Sequence, residues 1–227
     1  GLYIPSSIAD LNALTMNVNG TNTVTMNSDI SLYAASNALI LTSTHGGLLL
    51  LGAHDLNVTS TAVAAINGTP SITSMVVADG AGQLIRAIPG GLTGNNYYSF
   101  PVGDMSGTGI DNNTGADYSP VTLNFTNTGA SPATRNIGIR VTDAKHPSDA
   151  TITDYLTRYW SFTDNEAGNG TYTYTSTFTY STVPPSDLNG AHGNLKLNYW
   201  NGSSWIQLFG TVGGAPTLTF AGGTETT

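Results

Sequence analysis

The chain has 227 residues, enough to bury a core in one large β domain or two smaller ones. Only 9% of its residues are charged, against roughly 25% in an average soluble domain, and 34 Thr, 21 Asn and 27 Gly carry the polarity in a strand- and turn-forming composition. Six Lys and Arg against fourteen Asp and Glu give a net charge of −8, the wrong sign for a nucleic-acid backbone; zero Cys excludes disulfides, thiolate metal sites and cysteine catalysis; and no apolar run approaches the ~18 residues of a membrane-spanning helix.

In chain order, residues 1–91 carry short apolar segments at uneven intervals. One track reads from Leu14, Ile30, Leu48, Ala64 and Leu84, at intervals of 16, 18, 16 and 20 residues; a second interleaves with it from Val24, Leu39, Leu56 and Met75, at 15, 17 and 19. Turn formers separate them: Asn19-Gly20, Gly46-Gly47, Asn67-Gly68 and Asp79-Gly80. Four- to six-residue strands, each closed by a tight turn, suit a β-solenoid, in which each coil buries its inner residues against the next. An antiparallel meander is the alternative.

Pro89-Gly90-Gly91 breaks the pattern and places a boundary between a repeat region, 1–91, and a second domain, 92–227. There the predicted strands are longer and alternate cleanly: 97–102, 120–127, 135–143, 157–164, 171–181, 195–200, 204–209 and 216–220. Val121, Leu123 and Phe125 share one face, as do Ile137, Ile139 and Val141, and Tyr172, Tyr174, Phe178 and Tyr180. Asn201-Gly202 between two aromatic strands marks a hairpin. The fold class expected is all-β: a short β-solenoid followed by an Ig-like or jelly-roll-like antiparallel β-sandwich.

Four short motifs stand in order: Phe100-Pro101-Val102-Gly103, Tyr118-Ser119-Pro120-Val121, Arg158-Tyr159-Trp160 and Tyr199-Trp200-Asn201-Gly202-Ser203-Ser204-Trp205. Ahead of them lies Gly82-Gln83-Leu84-Ile85-Arg86, a G-x-L-x-R run. Over residues 75–210 the chain resembles modules of large secreted surface and adhesin-like proteins of Bacteroidetes, many exported by the type IX secretion system. That resemblance implies an extracellular adhesive or structural role and transfers no catalytic residue. The recognisable C-terminal sorting domain is lacking, which fits a fragment or another export route, and Gly1 with no charged n-region behind it fits an export signal removed or lying outside the sequence.

Catalytic signatures are sparse. No G-x-S-x-G, H-E-x-x-H, P-loop or G-x-G-x-x-G occurs, Glu appears only at 166 and 225, and Asp29 and Asp55 are the acids of the central repeats, so no enzyme is expected. No cofactor is required, but the loop from Gly103 to Tyr118 carries Asp104, Asp111, Asn113 and Asp117, and the last three place oxygens at spacings a calcium ion accepts. Trp160, Trp200 and Trp205 offer rings for glycan stacking, against a packing role in alternating strands. Thr171, Thr173, Thr175, Thr177 and Thr179 share one strand face, and seven N-x-S/T sequons occur, at Asn19, Asn57, Asn67, Asn112, Asn124, Asn169 and Asn201.

The reading is a secreted, cell-surface, non-enzymatic protein: a fibre subunit or adhesin module whose partners are copies of itself or neighbouring modules. Lys145 and Lys196 are the only lysines available to block strand edges, and the uncharged termini supply candidate pairing residues: Leu2, Tyr3 and Ile4 at one end, Leu218 and Phe220 at the other. A carbohydrate-binding module with structural calcium is the alternative. Neither nucleic acid nor membrane insertion is expected.

Overall fold

The computed structural model describes residues 1–18, 22–105, 115–128, 134–164, 171–182, 186–208 and 210–226. It is all-β, with single 3-10 turns at Val63–Ala65 and His192–Asn194 as the helical elements among the described residues. The first part is solenoid-like. Its coils are β1 (Leu2–Ile4), β2 (Asp10–Leu11) and β3 (Leu14–Met16); then β4 (Thr23–Met26), β5 (Ile30–Leu32) and β6 (Leu39–Leu41); then β7 (Gly47–Leu50), β8 (Leu56–Val58) and β9 (Ile66–Gly68); β10 (Ser74–Val77) and β11 (Leu84–Ile88) begin a fourth.

Each strand pairs in parallel with its counterpart one coil on, so three faces form: β1-β4-β7-β10, β2-β5-β8-β11 and β3-β6-β9. Three strands per coil correct the two-track reading. Merged, the segments of the two tracks start 6 to 11 residues apart, a spread that cannot distinguish a two-fold from a three-fold alternation, and the first-coil strands Leu2–Ile4 and Asp10–Leu11 lie ahead of the first segment of either track. Register reveals the true repeat: Leu2, Val24, Leu49, Val76 and Val102 align at offsets of 22, 25, 27 and 26 residues. Period-two alternation then turns Ile30, Leu56 and Leu84 into one buried column and Leu39 and Ile66 into another.

Polar side chains bridge the coils at the corners. Asp29 accepts the amide of Asp55, Asp55 accepts that of Gln83, Asn67 donates to Asn37, and the hydroxyls of Thr42 and Thr59 donate to the carbonyls of Met16 and Leu32. These bonds satisfy turn groups that the parallel ladders leave over. Gly80 and Gly82 let the fourth coil approach the third: a Cβ at Gly82 would lie 2.1 Å from the carbonyl oxygen of His54.

Beyond residue 91 the remaining strands are β12 (Thr93–Phe100), β13 (Val102–Asp104), β14 (Asp117–Tyr118), β15 (Val121–Asn127), β16 (Arg135–Thr142), β17 (Tyr155–Leu156), β18 (Tyr159–Asp164), β19 (Thr171–Thr179), β20 (Leu188–Asn189), β21 (Asn198–Trp200), β22 (Trp205–Gln207), β23 (Gly210–Val212) and β24 (Thr217–Thr226). The eight longer strands expected in this region are all found, the first of them divided at Pro101 into β12 and β13. Two solenoid faces continue into it: β13 pairs in parallel with β10 and then with β14, while β16 pairs antiparallel with β11 and then with β18. A separate antiparallel sheet runs β12-β15-β19-β24-β23, and two ribbons, β17-β20 and β21-β22, complete the described pairing.

The inward face of the five-stranded sheet is aromatic: Tyr98, Phe125 and Tyr172 meet edge to face at 5.8 and 5.7 Å between centroids, inside the same hydrophobic cluster as the solenoid columns. On the opposite face Thr173, Thr175, Thr177 and Thr179 stand half-buried, and register puts Ser99, Thr122, Thr177 and Thr219 in one row across four strands. The Thr171 side chain lies outside the described set.

Candidate functional site

The three motifs Phe100–Gly103, Tyr118–Val121 and Arg158–Trp160 converge where the solenoid faces end. Phe100 closes β12 in the buried face of the five-stranded sheet, and Pro101, which has no amide to give a ladder, marks the switch to β13; its carbonyl accepts the amide of Val76. Val102 continues the apolar column above Val76, and Gly103 is needed because a Cβ there would lie 2.2 Å from the carbonyl oxygen of Asp117. The amide of Ser119 donates to the Val102 carbonyl, and Trp160 donates its Nε1–H to the carbonyl of Ser119 at 2.9 Å.

At the centre lies Arg158, fully buried. Its guanidinium meets Asp104 at 2.6 Å, Asp187 at 3.0 Å, Asp117 at 3.3 Å and Asp143 at 3.8 Å, all four carboxylates being 4% exposed or less, and it donates to the Ser119 hydroxyl as well. Four chain segments, β13, β14, the end of β16 and the segment ahead of β20, are thereby tied to one cation on a fifth, the residue ahead of β18. Burial pushes the Asp104 carboxyl up to about 8; Arg158 opposes that shift, and Asp143, Asp117 and Asp187 add to it. Asp187 is raised too, first by burial. Burial on its own would lower the Arg158 guanidinium, but Asp104, Asp187 and Asp117 hold it above its ordinary value.

Two of the four oxygen-bearing residues of the expected calcium loop, Asp104 and Asp117, therefore face a guanidinium across the β13-β14 pair. Asp111 and Asn113 lie outside the described residues. Among the described residues no group of three or more His, Asp and Glu side chains has metal-holding geometry. Asp29 and Asp55, the repeat acids, serve as amide acceptors at a solenoid corner.

Arg86, the last residue of the G-x-L-x-R run, is the second buried guanidinium. It occupies the inward position of β11 where Leu32 and Val58 stand in the coils before it. Among the described residues no carboxylate meets it; it donates to the carbonyls of Ala62, Val63 and Ser99 at 2.9 to 3.0 Å and lies 4.9 Å from the Tyr98 ring centre. Burial brings it down to about 10, with Tyr98 opposing. It thus joins the third solenoid corner to β12, where the third face gives way to the new sheet.

The three tryptophans do not form one row. Trp160 is half-buried against Phe178 at 5.0 Å. Trp200 and Trp205 face each other across the β21-β22 ribbon at 5.2 Å, with the His146 ring 5.7 and 4.7 Å from them and Tyr159 4.8 Å from His146. Trp205 remains 38% exposed although its Nε1–H donates to the Ser148 carbonyl, and Tyr199 and Ile206, on the other face of the ribbon, are exposed.

The terminal residues separate. Leu2 and Tyr3 are 54% and 65% exposed, Ile4 is half-buried, and β1 pairs only through its β4 side among the described residues. Leu218 and Phe220 are instead buried: β24 is paired to β19 on one side and to β23 on the other over these residues, which corrects their assignment to a free pairing edge. Their alternation with Thr217 and Thr219 turns them inward onto Phe178 and its neighbours.

Sequence reasoning passed over the Arg158 cluster. The signal available was an arginine opening an aromatic strand in a chain with four Arg, but its four partners are scattered from 104 to 187 and only the fold gathers them. Comparisons with protein-family models, with curated proteins and with solved structures gave no match.

Proposed function

We propose that the protein is a non-enzymatic extracellular structural or adhesion protein, a surface-fibre subunit or adhesin module in which a β-solenoid is joined to a β-sandwich, and that it associates through exposed strand edges. The observation that carries this reading is the open first coil. Its strands β1, β2 and β3 each have a neighbour on one side only among the described residues, so a row of backbone donors and acceptors ends each of the three faces. Leu2 occupies the inward register position of its coil, yet more than half of it is in solvent, since β1 has β4 as its one neighbour among the described residues. Neither lysine of the chain lies on these strands to discourage pairing. A second copy docked there would extend three ladders and close the apolar column together, the economy of solenoid stacking. The resemblance of the motifs to secreted surface modules supports the same reading.

Light scattering over a dilution series, with negative-stain electron microscopy of the same samples, tests it. The expected result is filaments or large species that shift to monomer when Leu2→Asp and Tyr3→Lys are combined, with dissociation at least about tenfold easier, ~1.4 kcal/mol. A monomer near 23.5 kDa at every concentration overturns it. The exposed Trp205 favours a second reading, glycan binding on its face of the β21-β22 ribbon, for which a glycan array that loses its signal with Trp205→Phe, a change that keeps a ring against His146, is the test.

A further inference from the structure

We propose that β18 is a docking edge for a second copy of the chain: two β18 strands pair antiparallel about a two-fold axis at Ser161 and join the second solenoid faces of two molecules into one sheet.

The second face has two ends, and β18 is the far one. A register column runs along this face through Ile30, Leu56, Leu84, Ile139 and Phe162; the first four are at most 1% exposed, whereas Phe162 is 44% exposed. Phe162 holds the same inward position as the others, and Trp160, two residues before it, stands inward beside the buried Val141. Both rings reach Phe178 of the five-stranded sheet, at 6.0 and 5.0 Å between centroids, so the column ends in a half-covered aromatic ledge. β18 has β16 as its one neighbour among the described residues, and its other side offers backbone donors and acceptors along Tyr159–Asp164.

Sheet edges are commonly blunted by Lys, Pro, a bulge or an inward charge. β18 contains neither Lys nor Pro, and its pairing with β16 runs through six residue pairs without a register shift. Its one charge, the inward Asp164, is engaged by Arg135 at 2.8 Å. Other edges differ: β12 carries a register shift between Thr93 and Asn96 and gives its Ser99 carbonyl to Arg86, and β14 is two residues long.

The sequence of β18 is complementary to itself. A strand added to this edge must present apolar side chains inward at alternate positions. With the axis at Ser161, Trp160 stands opposite the second copy's Phe162, Phe162 opposite its Trp160, and Tyr159 opposite its Thr163, which are favourable cross-strand pairs. The two Asp164 carboxylates fall at opposite ends of the paired strands, so like charges do not meet. Moving the axis to Phe162 sets Trp160 against Asp164, and a slip of one residue turns the second copy's aromatic face to the wrong side. The contact is isologous and closes on itself, and it stands or falls separately from association through the first coil. Six residues a side fall short of the roughly 20–30 of a stable interface, so the pair forms in concentrated solution and separates on dilution.

The test uses the chain carrying Leu2→Asp and Tyr3→Lys, which lacks the first-coil contact, in light scattering from about 1 µM to about 500 µM. The mass is expected to rise from 23.5 kDa towards twice that value and no further, and adding Phe162→Lys is expected to raise the concentration needed at least about tenfold. Because the chain has no Cys, Ser161→Cys places one thiol per molecule on the axis, where opposite Cβ atoms about 5 Å apart come near the reach of a disulfide. Mild oxidation of the concentrated variant is expected to link most chains into covalent dimers, while Asn198→Cys, exposed on β21, links few. Circular dichroism checks that each variant folds; if Phe162→Lys does not, the cysteine comparison decides. Monomer at every concentration, growth beyond a dimer, a dimer indifferent to Phe162→Lys, or no preference for linkage at Ser161→Cys overturns the proposal. Wild-type filaments alongside any of these results leave the first-coil reading standing, and a wild-type monomer throughout removes both.

Discussion

Three arginines, Arg86, Arg135 and Arg158, are almost wholly buried, and each solves a different problem of desolvation. Arg135 pairs with Asp164 at 2.8 Å and lies 4.1 Å from the Tyr172 ring centre, Arg158 gathers four carboxylates, and Arg86 relies on carbonyls and a ring. Removing a buried charge leaves its partners unsatisfied, so Arg158→Ala is expected to destabilise by about 3–5 kcal/mol or to prevent folding, measured by urea denaturation at pH 7. Arg158→Lys does not rescue it, because one ammonium cannot reproduce the fork that reaches Asp104 and Asp187 at once. At Arg86 the partners are neutral, so Arg86→Met, which keeps the stem in the column, is expected to lose clearly less stability than Arg86→Ala, which also opens a cavity. The sequence displayed Gly82-Gln83-Leu84-Ile85-Arg86 as a motif without its reasons. Gly82 admits the carbonyl of His54, Leu84 joins a column and Arg86 joins a corner, and all three are contacts with residues more than twenty positions away.

At the scale of elements, period-two alternation was enough to locate the longer strands, since an inward apolar position is dictated by the strand's own sequence. What alternation cannot carry is which strand lies beside which. That is why three solenoid faces read as two tracks, why β12 and β13 read as one strand, and why Leu218 and Phe220 looked free rather than enclosed between β19 and β23. Coil spacing yields its own prediction. Gly82→Ala forces a Cβ against backbone that cannot rotate away, so an overpacking penalty of about 1–3 kcal/mol is expected, seen as a melting temperature lowered by several degrees. Gly52→Ala, at a positive φ of 59° with open space around its Cβ, separates backbone strain from collision. Among the described residues the β21-β22 ribbon is a pair of strands with no third, marginal unless something packs on it; His146 and Tyr159 supply that packing through Trp200 and Trp205. Trp205→Ala is accordingly expected to release the ribbon, seen as faster amide exchange at Tyr199 and Ile206 with little change in the solenoid.

For the whole molecule, the low charge density and the abundance of Thr, Asn and Gly announced a β protein, but the sheets that cross from the repeats into the second region were not legible, because the pairings β10-β13 and β11-β16 join residues up to 55 positions apart. The same low charge density has an outcome once the burial of the arginines is known. Trypsin cleaves only after Lys and Arg, and this chain offers six such residues. Arg86, Arg135 and Arg158 are sealed in the interior, Arg140 sits half-buried within β16, and Lys145 is drawn towards Asp149 and the Tyr155 ring. Lys196, in the exposed approach to β21, is the site left to the protease. Limited trypsin digestion of the folded protein is therefore expected to nick once, after Lys196, leaving two pieces held together by β19 and β24, with the inner sites cut only as fast as the fold opens. Resistance to a digestive protease is, for this molecule, a by-product of where its few cations had to be placed to close the fold.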